Sequence, residues 1–186
     1  FYKKKINFNK EDRHSFYIEE YNNNLIIVTK NGEIYRADLN ELSSKKEILN
    51  TFELKKKNLI NKNETGLRIL DALIIQNKIY LTKISEEQNC KKISIIYSDI
   101  SDDLNFKILK NFEECASIGI GAGRIQEYNF NNIKGILLST TDSDNDNPGS
   151  RAQNDDSIFG KIIFINLSDG EYQIFSKGHR NPQGIA

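Results

Sequence analysis

The side chains best equipped for chemistry gather near the C-terminal end of the sequence, in the stretch FSKGHRNPQGIA from Phe175 to Ala186. His179, Arg180, Asn181 and Gln183 stand there around Pro182, one of only two prolines in the chain. A guanidinium can fork onto carboxylate oxygens, an amide supplies a neutral donor and acceptor, and proline fixes the backbone that carries them. The plainer reading is a turn in which these polar groups satisfy nearby backbone. A second group is Asp142, Asp144 and Asp146, whose alternate carboxylates resemble the opening of a calcium-binding EF-hand loop. That pattern fails further on: the sixth position is Asn147 instead of Gly and the twelfth is Gln153 instead of Glu. Asp142, at the end of its strand, then either orients a partner or binds substrate, or else starts an Asp/Asn turn. The two histidines have no metal-ligand spacing, so no metal site is expected from them.

These groups need a frame, and the frame reads as all-β. Short apolar runs recur between turn residues, without helical periodicity. Ser15–Tyr21, Asn24–Lys30, Glu33–Leu39 and Lys45–Leu54 form a first set of four strands, with Asn31-Gly32 as a strong hairpin signal. Leu67–Gln76, Lys78–Ile84, Lys91–Ile100 and Asn105–Phe112 form a second. Arg124–Phe130, Gly135–Thr141, Gly160–Leu167 and Glu171–Lys177 form a third. Repeated four-stranded meanders are what a β-propeller requires, since each blade buries its faces against its neighbours. The spans predict blades over 15–54, 67–112 and 124–177, with 178–186 starting the next. A β-sandwich is the alternative. Three blades fall short of the usual four to eight, so the chain is expected to hold part of a ring. Its start at Phe1 and its lack of methionine also read as a piece of a longer protein. In a propeller, the segments leading into each first strand share one face with the loops joining second and third strands. That face would collect 61–66, 116–123 and 177–184 together with 85–90 and 142–159.

Composition narrows the function classes. The 26 basic and 26 acidic side chains cancel, and no basic stripe appears, so electrostatic capture of nucleic acid or an anionic membrane is not expected. No apolar stretch approaches the roughly 20 residues of a spanning helix.

The string GHRNPQGIA, preceded by RAQNDDSIF and GKIIFINLSDGEYQIFSK, resembles the glucose/sorbosone dehydrogenase family, soluble sugar dehydrogenases that use pyrroloquinoline quinone (PQQ). Earlier stretches are similar in the same order: NLIIVTKNGEIY, ETGLRILDALI and GAGRIQEYNFNNIKGILLSTTD. The resemblance implies a six-bladed propeller with PQQ at the channel mouth, touched by Arg180 and Asn181. It implies oxidation of an aldose or related alcohol by hydride transfer to PQQ, with electrons passed to an external acceptor. The calcium that bridges the family's cofactor would be bound beyond residue 186.

Two positions depart from the family. Aligned on Gly123-Arg124, the histidine that serves as base falls at Ile120, which cannot accept a proton. A substrate-side glutamine falls at Glu64, while a channel-mouth aspartate falls at Asp142. Asp142 and Glu64 are thus the remaining candidates for the catalytic role, Glu64 having as its other reading a solvated loop charge. His179 is read as support for its loop. The competing function is a non-catalytic propeller that binds a ligand or a protein. Cys90 and Cys115 fall on the same face of one blade, and in a family typically exported to the periplasm or secreted this implies a disulfide. Open blade edges make self-association an expectation. Asn63-Glu64-Thr65 and Asn166-Leu167-Ser168 fit glycosylation sequons, which an Asn-rich chain produces by chance.

Overall fold

Asparagine serves here where glycine usually does. The pairs Asn22-Asn23, Gln88-Asn89 and Asn131-Asn132 adopt φ between 46° and 65°, the left-handed region that two-residue hairpin turns need. Each pair folds one strand back on the next. The computed structural model describes residues 5–6, 16–43, 48–49, 51–60, 63–116, 119–143, 147 and 149–185.

The chain begins with β1 (Lys5–Ile6), β2 (Phe16–Tyr21), β3 (Asn24–Thr29) and β4 (Ile34–Asp38), then a short 3-10 helix at Leu39–Ser43. It continues through β5 (Ile48–Leu49), β6 (Phe52–Glu53), β7 (Lys55–Lys57), β8 (Thr65–Ile75), β9 (Lys78–Glu87) and β10 (Cys90–Asp99). There follow β11 (Asp103–Asn105), β12 (Lys107–Asn111), β13 (Ile125–Phe130), β14 (Ile133–Ser139), helix α1 (Ser150–Gln153), β15 (Lys161–Asn166) and β16 (Tyr172–Lys177). Three four-stranded antiparallel sheets result: sheet I (β2-β3-β4-β6), sheet II (β8-β9-β10-β12) and sheet III (β13-β14-β15-β16). The mostly-β organisation in four-stranded antiparallel sheets expected from the sequence is present, and no sheet closes on itself among the described residues.

The first sheet departs from expectation at its last strand. Among the described residues of the Lys45–Leu54 stretch, Phe52–Glu53 pairs with β4 and the Leu54 N–H reaches the Ile34 carbonyl oxygen, while Ile48–Leu49 pairs in parallel with β1 instead. Sheet II repeats the device: β7, which leads into it, pairs in parallel with β11, which precedes its fourth strand. The lysine triplets mark this repeat. Lys3–Lys10 reads KKKINFNK and Lys55–Lys62 reads KKKNLINK, so the lead-in is as periodic as the strands.

Alternation then decides which sheets touch. Ile26, Val28 and Ile34 of sheet I bury against Ile69, Ile79, Leu81 and Ile96 of sheet II. Leu70, Tyr80, Ile93 and Ile95, on the other face of sheet II, bury against Ile125, Ile136, Leu138, Ile163 and Ile165 of sheet III. Period-2 alternation in a strand with both faces covered yields this near-continuous apolar run. The first strands follow the same order, β2 against β8 and β8 against β13.

On the far face of sheet III, Gly135 makes room for an aromatic ring. A Cβ there would stand 2.2 Å from Phe164 Cε2 and 2.6 Å from the Ile165 carbonyl oxygen. Gly135→Ala is therefore expected to cost about 1–3 kcal/mol by overpacking, read as a lower urea midpoint with an unchanged slope. An unchanged midpoint would mean that Phe164 swings clear at no cost.

Candidate ligand-binding site at the C-terminal string

Strand β14 ends at Ser139, and the residues after it meet the string directly. The Asp142 backbone N–H donates to the Arg180 carbonyl oxygen at 2.9 Å, and the Thr141 hydroxyl donates to Asn181 Oδ1 at 3.0 Å. Gln183 Nε2 donates to the same oxygen at 2.8 Å. Asn181 thus has its carbonyl side fixed, which turns its NH2 group away from the partners that hold it. Gly121 completes the seat: a Cβ there would fall 2.9 Å from Thr141 Oγ1 and 3.0 Å from Asn181 Oδ1. Arg180 is exposed, and its guanidinium makes no hydrogen bond or ion pair among the described residues.

Asp142 is 8% exposed, and its two oxygens differ. Oδ2 accepts from the Gly149 backbone N–H, as the turn reading expects. Oδ1 is buried and has no hydrogen-bond partner among the described residues. Asp144 and Asp146 of the acidic run lie outside the described residues, and no cluster of metal-ligating side chains occurs among those described.

Behind Asp142 the loop is held by a buried cation. Lys161 Nζ donates to the carbonyl oxygens of Arg151 at 2.7 Å, Ala152 at 3.0 Å and Phe159 at 2.9 Å. Burial lowers the pKa of this fully buried ammonium, and the carboxylates of Glu114, Asp155 and Asp142 oppose that shift. Glu114 accepts from the Ser157 hydroxyl and the Ile158 N–H, both at 2.8 Å, and Arg151 donates to the Cys115 carbonyl oxygen at 2.7 Å. Cys115 is disulfide-bonded to Cys90, with Cα atoms 5.2 Å apart. The predicted bridge is present, and it ties the β9–β10 turn to the segment on which this loop rests.

Arg124 joins the string to the sheets. Its Nε donates to the Gln183 carbonyl oxygen at 3.1 Å, one terminal nitrogen reaches Asp71 at 3.3 Å, and the guanidinium lies 5.4 Å from the centroid of the Tyr17 ring. Burial pushes the Asp71 carboxyl above its ordinary range, opposed by the Ile125 N–H and by Arg124.

Other positions are placed differently from expectation. Glu64 is not a solvated loop charge: Oε2 pairs with Lys83 Nζ at 2.7 Å and Oε1 accepts from the Ser85 hydroxyl at 3.0 Å. Its side chain is 13% exposed and that of Lys83 is 2% exposed. Lys83 alternates with Ile79 and Leu81 on the face of β9 toward sheet I, so its ammonium needs a counter-charge there. One Glu64 oxygen meets that need and the other accepts from Ser85, which leaves the carboxylate poorly suited to take a substrate proton. Ile120 is 2% exposed and belongs to the core between sheets II and III. The same segment turns Gly121 toward Asn181. His179 Nε2 lies 2.9 Å from the Ser176 hydroxyl, and its N–H donates to the Gly160 carbonyl oxygen, in keeping with support of the loop.

No family model and no curated protein matches this chain. Asp142, Arg180 and Asn181 are brought together as expected, while Glu64 is claimed by a separate pair. Thr141, Gly121, Arg124 and Lys161 are parts of the site that the sequence did not single out. The one available signal was the Gly123-Arg124 pair, which served only to align the lead-in.

Proposed function

We propose that the three sheets are blades of a β-propeller related to glucose/sorbosone dehydrogenases, and that Arg180 and Asn181 form part of a PQQ-binding surface. The ordered contact of first strands, the face-to-face stacking of successive sheets and the repeated lead-in pairing support the propeller reading over a sandwich. The single observation that carries the site is the exposed Arg180, whose guanidinium has no partner among the described residues, beside an Asn181 whose carbonyl is already held by Thr141 and Gln183. An oxygen-rich anion finds there a forked cation and an oriented amide donor. The residues present fit the carboxylate and quinone oxygens of PQQ, which when bound would supply the electron acceptor for alcohol oxidation. Asp142 would stand beside that surface, with Oδ1 the one carboxylate oxygen free to accept a hydrogen bond. The oxidised substrate would be an aldose or related alcohol, and export to an oxidising compartment would suit the Cys90–Cys115 bond.

A second reading is favoured by Ile120 and Glu64. With the aligned base position in the core and the other carboxylate neutralised by Lys83, the propeller would bind its ligand without turning it over. Titration of PQQ with calcium into the chain, followed by quinone absorbance, tests the first step. Arg180→Ala and Asn181→Ala are each expected to weaken binding about tenfold or more, the loss of a charge-assisted or oriented hydrogen bond. Binding unaffected by both variants would remove the assignment. Sugar-dependent dye reduction by the loaded protein separates enzyme from binding module.

A further inference from the structure

The end of sheets II and III away from the string holds a concavity of its own, a cavity of about 510 Å³ between the β8–β9, β13–β14 and β15–β16 turns. It falls in the size range of small-molecule sites. Its wall includes the Tyr80 ring, a residue only 5% exposed whose phenol makes no hydrogen bond among the described residues. That hydroxyl is not among the fully buried polar atoms left without a partner, so it is open to a ligand entering the cavity. Two ammonium groups line the same space from different sheets, Lys78 from β9 and Lys134 from β14. Lys78 lies 5.3 Å from the centroid of the Tyr97 ring, itself stacked on Tyr80 at 5.7 Å. Neither lysine forms a hydrogen bond or ion pair through its side chain among the described residues. Ile75, Ile133 and Leu167 give the cavity an apolar floor.

Carboxylates are also near, and they limit the charge the cavity can take. Asp99 stands opposite Lys78 in the β9–β10 ladder, and Asp99 and Glu127 both act on the Tyr80 phenol. Two lysines offset by two acids disfavour a polyanion. We infer that this cavity binds a small organic monocarboxylate, its carboxylate accepting from the Tyr80 hydroxyl and from Lys78 or Lys134 while its apolar body covers Ile75, Ile133 and Leu167. The site uses sheets II and III alone and is independent of the Arg180–Asn181 surface.

The test is fluorine NMR with 4-fluorobenzoate as probe and 4-fluorobenzyl alcohol as its uncharged counterpart. The acid is expected to broaden saturably on adding the chain, and the alcohol to bind at least about tenfold more weakly, since a charge-assisted hydrogen bond is lost. Tyr80→Phe removes only the hydroxyl and is expected to weaken the acid severalfold. Lys78→Ala with Lys134→Ala is expected to abolish saturation, and Arg180→Ala to leave it intact. Equal binding of acid and alcohol, no saturation with the unmodified chain, or affinity unchanged in both Tyr80→Phe and the lysine double variant would each overturn the assignment. The comparison of the two probes needs no variant and so does not depend on any variant folding.

Discussion

Lys161→Met is expected to lower the stability of the fold by about 1–3 kcal/mol. Methionine fills most of the volume, so the loss falls on the carbonyl oxygens that the ammonium reaches: those of Arg151 and Ala152 keep the N–H groups of Asn154 and Gly178, and that of Phe159 has no other donor among the described residues. Each buried acceptor left without a donor costs about 1–3 kcal/mol, and water entering the loop would recover part of that. Two of those carbonyls belong to helix α1 and the third to Phe159, so the variant should loosen the whole stretch from Gly149 to Gly160. Urea unfolding with intact sheets reports the size of the effect.

The pH dependence carries a sign of its own. Burial holds the Lys161 pKa below its ordinary 10.5, so above the folded-state pKa the unfolded chain binds this proton more tightly than the folded one. The folded protein should therefore gain stability as pH rises from the folded-state pKa toward 10.5, relative to Lys161→Met. A difference between the two proteins that stays flat across that window would show that the ammonium is not under desolvation strain.

Removing the Cys90–Cys115 bond has an effect at least as large. The cysteines are 25 residues apart, and opening a loop of that length costs about 3 kcal/mol in the chain-entropy account. Local consequences should be larger than that figure conveys. Cys115 receives Arg151 through its carbonyl oxygen, and the neighbouring Glu114 holds Ser157 and Ile158. Freed of the bridge, the segment would shift the support of the loop that places Asp142. Cys90→Ser with Cys115→Ser is expected to lower the melting temperature and to speed hydrogen exchange at the Ile158 amide in particular. A lowered melting temperature with exchange at Ile158 unchanged would mean that the bridge acts on the unfolded chain alone.

Strands were legible because their physics is local. Asn-rich turns and β-branched runs placed β3, β9, β10, β14 and β15 to within a few residues, and grouping them in fours recovered the sheets. The fourth strand of sheet I was not legible. Its split depends on β1, a partner more than forty residues away in sequence, and strand patterning holds no record of a parallel pairing at that range. The site shows the same division. Arg180, Asn181 and Asp142 could be named from type and neighbourhood, and they do converge. Glu64 could not be read correctly, because its partner Lys83 sits in an apolar strand where nothing but the packing of two sheets shows that a lysine is buried. Lys161 escaped notice for the same reason.

The stacking of sheets has a consequence for how the molecule comes apart. Each sheet exchanges apolar contacts only with the next, so stability is shared out by nearest neighbours, as in a one-dimensional array of coupled units. Sheet II has a neighbour on both faces, whereas sheets I and III each have one among the sheets described. The middle sheet is thus the last to open, and the outer two can fray independently of one another. The string and Asp142 belong to the edge of sheet III, so a ligand held there would steady one of the two sheets most ready to fray.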